Sequence, residues 1–95
     1  MTTGLHLPAL LWEPIVRTAL MEDLGIGGDV TTQALAKPGQ QLRAAFCARK
    51  DGVVCGLEGA RQTFAMLDPT VRFSMLKQDG HQISSGDVLA TVEGS

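Results

Sequence analysis

The chain has 95 residues, 44% of them hydrophobic and 19% charged, with a formal net charge of −2. A chain of this length makes one domain that buries roughly two-thirds of its unfolded surface, and its composition suits a globular protein and not a disordered one. The small negative charge argues against a nucleic-acid-binding surface.

Residues 1–8 read as a lead-in without a basic segment ahead of a long apolar one, so no signal peptide is expected. The longest apolar run, residues 7–12, falls well short of the ~20 residues that a membrane span needs. The spacing of Trp12, Ile15, Val16, Ala19 and Leu20 predicts a helix over residues 10–24 with one apolar face. Pro14 is compatible with its first turn, and Gly25 suits the position just past its end. Residues 22–32 then form a turn dense in glycine, acid and hydroxyl. In residues 33–41, Lys37-Pro38-Gly39 is a turn signal.

Residues 42–50 alternate as a strand, with Leu42, Ala44, Phe46 and Ala48 on one face and Arg43, Ala45, Cys47 and Arg49 on the other. Asp51-Gly52 signals a tight turn, and residues 53–55 form a short strand broken by Gly56. A second helix over residues 57–67 stacks Ala60, Phe64 and Leu67 along its apolar side and stops at Asp68-Pro69. Residues 70–78 alternate again, with Val71, Phe73 and Met75 sharing a face. Turns follow at Asp79-Gly80 and residues 84–87, and a last strand places Val88, Ala90 and Val92 inward. The order helix, strand, strand, helix, strand, strand predicts an α+β sandwich, two helices packed on a small, mainly antiparallel sheet.

The candidate ligand contacts are Glu22, Asp23, Asp29, Thr31 and Thr32, all in the glycine-rich turn. The simplest role for such residues is capping a helix end and hydrogen-bonding the local backbone. Two carboxylates on a loop also suit Mg²⁺ shared with a substrate phosphate. Arg43, Arg49 and Lys50 raise a phosphate site. However, the arginines are six positions apart, ~20 Å along a strand, too far for one phosphate. His6 and His81 have no sequence-local partner for acid–base work. Cys47 and Cys55 form neither CxxC nor a zinc set, and read as small buried thiols in a reducing cytoplasm.

Glu22-Asp23-Leu24-Gly25, followed by Gly28-Asp29-Val30-Thr31-Thr32, resembles the N-terminal signature of the quinolinate phosphoribosyltransferase family, with one residue more between its halves. Residues 11–24 resemble the family's first helix, Gly52-Val53-Val54-Cys55-Gly56-Leu57 its Gly-Val-Val-Ala-Gly-Leu segment, and Asp79-Gly80 with Gly86-Asp87-Val88-Leu89 its closing hairpins.

The resemblance implies an α/β-hammerhead-like N-terminal domain over residues 1–95, ahead of an α/β barrel that holds the catalytic groups. It implies a whole enzyme that converts quinolinate and phosphoribosyl pyrophosphate to nicotinate mononucleotide, CO2 and pyrophosphate. That enzyme would use Mg²⁺, work as a homodimer or higher homo-oligomer in the cytoplasm, and have neither nucleic-acid nor membrane partners. No catalytic residue and no cofactor is expected on these residues themselves. Two alternatives stand beside it. One is a related phosphoribosyltransferase paralogue associated with molybdate transport. The other is a stand-alone hammerhead module, because residues 79–93 are similar to the second half of a biotinyl or lipoyl carrier, with Lys50 or Lys77 as the candidate modified residue.

Overall fold

The computed structural model describes residues 9–21, 30–35 and 42–94. A 3-10 turn, Ala9–Leu11, leads into helix α1, Trp12–Met21. Pro14 sits in the first turn of α1, where its missing N–H has no partner to lose. Strands β1, Val30–Ala34, β2, Leu42–Ala48, and β3, Gly52–Val53, follow. Helix α2 spans Leu57–Leu67, as the spacing of its apolar residues predicts. Strands β4, Arg72–Met75, β5, Gln82–Ile83, and β6, Val88–Gly94, complete the chain.

Four strands form an antiparallel sheet in the order β1-β2-β6-β4, and β3 pairs with β5 in a separate two-stranded ribbon. The α+β class and the helix-on-sheet layering agree with the expectation from sequence. One face of the large sheet packs against both helices. Ala44, Phe46 and Ala48 of β2 meet Ala90 and Val92 of β6, Val16 and Leu20 of α1, and Ala60 and Phe64 of α2 in one core. The Phe64 and Phe73 rings lie 5.2 Å apart at a 30° tilt, tying α2 to β4.

The structure corrects several details. β1 and β5 are strands where the sequence suggested only turn and connecting segments. Leu67 is half-exposed, and Leu57 takes its place in the core beside Ala60 and Phe64. In β6 the inner set shifts: the β2–β6 pairing steps from Phe46–Ala90 to Cys47–Val88. The extra residue, Leu89, is a bulge that turns its side chain fully into the core beside Ala90. Arg49 lies in a bend past the end of β2, so it shares no strand face with Arg43. Cys47 is buried, but Cys55 is partly exposed beyond β3.

Candidate functional site

Thr31 and Thr32 belong to β1 and not to the preceding turn, so the period of the strand sends them to opposite faces. Thr32 lies on the helix side. Its hydroxyl donates to Glu13 Oε2 at 2.6 Å. The Arg17 guanidinium, one helical turn beyond Glu13, donates to the Val30 carbonyl at 3.1 Å and approaches Glu13 Oε1 at 3.4 Å. These three side chains strap α1 to β1 across both ends of the glycine-rich stretch. The hydroxyl of Thr32 holds the Glu13 carboxyl below its ordinary value, partial burial opposes this, and Arg17 adds to the lowering. Glu13 and Arg17 lie outside the set Trp12, Ile15, Val16, Ala19 and Leu20 that forms the apolar face of the helix. Their i,i+4 spacing carried the ion pair but not the link to Thr32.

Thr31 is exposed on the far face, in register with Cys47. Gln33 follows on that face beside Ala45, and the Cys47 thiol lies 3.8 Å from Gln33 Oε1. Across the sheet, Ala45 registers with Thr91 and Thr91 with Ser74. Further along, Glu93 registers between Arg43 and Arg72, opposite charges on adjacent strands. The far face thus carries hydroxyls, one amide and a charged row around the buried Ala45 and Cys47, while the near face is the apolar core.

Glu22, Asp23 and Asp29 lie outside the described residues. Among the described residues there is no group of three or more His, Cys, Asp or Glu placed to hold a metal ion. His81 is exposed, and its backbone carbonyl accepts from the Val54 N–H at 3.1 Å. Lys77 approaches Asp87 Oδ2 at 3.8 Å, an ion pair at the hairpin base.

One acid that the sequence assigned only to a turn has a defined task. Asp79 accepts from the backbone N–H groups of Leu57 at 2.8 Å and Glu58 at 3.2 Å, capping α2 from 22 residues away. The residue at the helix start itself, Gly56, sits at φ 101 and offers no side chain. Asp51 and Arg49 grip the turn before β6: the Ser85 N–H donates to Asp51 Oδ1 at 2.8 Å, and its hydroxyl donates to the Arg49 carbonyl at 3.1 Å.

Comparison with known proteins bears on this arrangement. The family model described as "Quinolinate phosphoribosyl transferase, N-terminal domain" matches residues 29–95. The chain is 36% identical over 90 residues to the probable nicotinate-nucleotide pyrophosphorylase (carboxylating) of Synechocystis sp., covering 93% of this chain and 29% of that protein. It is 32% identical over 81 residues to the chloroplastic nicotinate-nucleotide pyrophosphorylase (carboxylating) of Arabidopsis thaliana, covering 85% of this chain and 23% of that one. It is also 34% identical over 80 residues to quinolinate phosphoribosyltransferase (decarboxylating) 1b of Nicotiana tabacum, again over 23% of the longer protein. The chain thus spans under a third of the length of these relatives. In fold, 94% of it superposes on 32% of the chain in the crystal structure of NadC from Streptococcus pyogenes, with a TM-score of 0.55 and 24% identity.

Proposed function

The chain belongs to the quinolinate phosphoribosyltransferase N-terminal domain family, and from that premise we propose that it is the substrate-covering and dimerisation domain of such an enzyme. The whole protein would join quinolinate to phosphoribosyl pyrophosphate and release nicotinate mononucleotide, CO2 and pyrophosphate, a step of NAD biosynthesis. The observation that carries this reading is the family match over residues 29–95. The geometry supports it in one respect: a polar sheet face bearing Thr31, Gln33, Thr91 and Ser74 is suited to lie against a polar substrate cleft, with the apolar core turned away from it.

Mg²⁺ and the groups that bind the substrate's carboxylates and phosphates belong, in this proposal, to a catalytic domain and not to the residues described here. The partners are the two small substrates and a second copy of the same protein. A cytoplasmic location is supported by two cysteines that stay unpaired. Among the described residues no helix is long and apolar enough to cross a membrane.

The experiment is a domain exchange. The 95-residue chain replaces the matching stretch of the Synechocystis relative, and quinolinate-dependent pyrophosphate release is measured beside the same relative lacking that stretch. Restored release is expected. Release that stays at the level of the deleted protein, from a soluble and folded chimera, overturns the proposal.

A further inference from the structure

The sequence holds two Asp-Gly links, Asp51-Gly52 and Asp79-Gly80, and no asparagine. Such a link can react with itself. Glycine has no Cβ, so its amide nitrogen is free to approach the side-chain carboxyl of the aspartate before it. The nitrogen gives up its proton, attacks Cγ and expels a carboxyl oxygen as water, closing a cyclic succinimide. Water then returns. Addition at the side-chain carbonyl restores aspartate; addition at the main-chain carbonyl leaves isoaspartate, with the chain running through the former side chain. One water leaves and one returns, so nothing is oxidised or reduced and no other reactant is needed.

The fold treats the two links differently. Asp79 turns both carboxylate oxygens to the start of α2, accepting from the Leu57 N–H at 2.8 Å and the Glu58 N–H at 3.2 Å. The Gly80 N–H donates to the Val54 carbonyl at 2.7 Å, and Gly80 sits at φ 93. Leu57 and Val54 are fully buried. Attack at Asp79 therefore requires the carboxyl to leave the helix and the amide to leave Val54 together.

Asp51 is fastened more lightly. Its Oδ1 accepts from the Ser85 N–H at 2.8 Å, on an exposed turn. Gly52 is the first of the two residues of β3, which pairs with the two residues of β5. The end of so short a ribbon opens at little cost. Beside the link lies an open hollow of about 620 Å³, lined by Asp51, Gly52, Val53, Gln82, Ile83 and Ser84, with room for the water that leaves and returns.

We propose that Asp51-Gly52 is a self-modification site, where the folded chain converts aspartate to isoaspartate, and that the cap on α2 shields Asp79-Gly80 from the same reaction. The change at Asp51 lengthens the main chain by one methylene and shortens the side chain by the same group. The carboxylate then loses its hold on the Ser85 N–H, and the turn before β6 loosens. The site marks the age of the molecule by releasing that turn.

The test ages the 95-residue chain at neutral pH in heavy-oxygen water, once folded and once in denaturing guanidinium chloride. Tandem mass spectrometry then locates isoaspartate and incorporated heavy oxygen at each link. In denaturant the two links are expected to react at comparable rates, since glycine follows the aspartate in both. Folding is expected to slow Asp79 at least about tenfold, because reaction there waits on opening at the start of α2, and to slow Asp51 much less. Isoaspartate in the folded chain is thus expected to gather at Asp51. Equal accumulation at the two links of the folded chain, an excess at Asp79, or none at Asp51 overturns the inference.

Gly52→Ala gives a second reading. Gly52 is not among the glycines at positive φ, so alanine fits its backbone, and the added methyl crowds the attacking nitrogen. Isoaspartate at Asp51 is expected to fall severalfold while Asp79 keeps its original rate. Accumulation at Asp51 that is indifferent to this substitution overturns the inference, because attack by that nitrogen would not be its source.

Discussion

At the scale of single residues, the strap between Thr32, Glu13 and Arg17 gives the hydroxyl-rich signature a mechanical role. Thr32 Oγ1 donates to an ionised carboxylate at 2.6 Å, and such a bond is stronger than one between neutral groups. Because Glu13 is about two-fifths exposed, water screens much of its value. Thr32→Val should therefore destabilise the fold by only about 1 kcal/mol near neutral pH, measured by urea unfolding. The pH dependence has a fixed sign. The folded state depresses the Glu13 pKa below its ordinary 4.5, so the contribution is present above that value and fades as pH falls through the lower folded value. The gap between wild type and Thr32→Val should narrow on acidification. A gap that widens would show that Glu13 is not the acceptor. Asp79 is the second residue whose task is visible only in three dimensions. Asp79→Ala removes the acceptor for two N–H groups at the start of α2 and should lower stability by about 1 kcal/mol, with Asp79→Asn closer to wild type.

At the scale of elements, the errors of sequence reading have physical causes. β1 was hidden because Val30, Thr31, Thr32 and Gln33 present one buried aliphatic side chain among polar ones, which weakens the alternation that marks a half-buried strand. β5 has only two residues, too few for any period to register. The bulge in β6 left no trace in the sequence, since Val88-Leu89-Ala90 is apolar throughout and either phase places a good core residue inside. The packing of β6 against α1 yields a sharp prediction at Gly94. Replacing glycine by alanine in a strand favours folding by up to about 1 kcal/mol through the unfolded chain. Here the added methyl meets the buried Trp12 ring, and overpacking of that kind costs about 1–3 kcal/mol. Gly94→Ala should therefore lower the melting temperature by several degrees; an unchanged or raised value would mean that Trp12 moves aside freely.

At the scale of the whole molecule, one face of a four-stranded sheet carries the helices and the other carries a polar surface. This division separates two faces: the helix side makes the main core, and the other side carries Thr31, Gln33, Ser74 and Thr91 around the buried Ala45 and Cys47. Among the described residues there is no metal-ligand cluster. On the proposal that the catalytic groups belong to a separate domain, the purified 95-residue chain is expected to fold and to show no turnover of quinolinate with phosphoribosyl pyrophosphate. Measurable turnover by that chain would contradict the division of labour proposed above.

The sequence by itself determined the class of fold, both helices, β2, and the turn at Asp79-Gly80; the turn expected at Asp51-Gly52 falls instead as a bend at Arg49 and Lys50, with Gly52 already in β3. These depend on local period and on backbone preferences that neighbouring residues set. It also determined the family, through motifs that need no coordinates to be read. The tertiary structure alone decided that Thr31 and Thr32 face opposite sides of a strand, that Glu13 and Arg17 bind across to β1, and that Asp79 caps a helix far along the chain. Each is a contact between residues distant in sequence, fixed by which strands pair and in which register. A shift of one residue in pairing would have exchanged the polar and apolar faces. Hydrophobic period tells a residue that it must be buried; only the assembled sheet tells a polar residue which partner it meets.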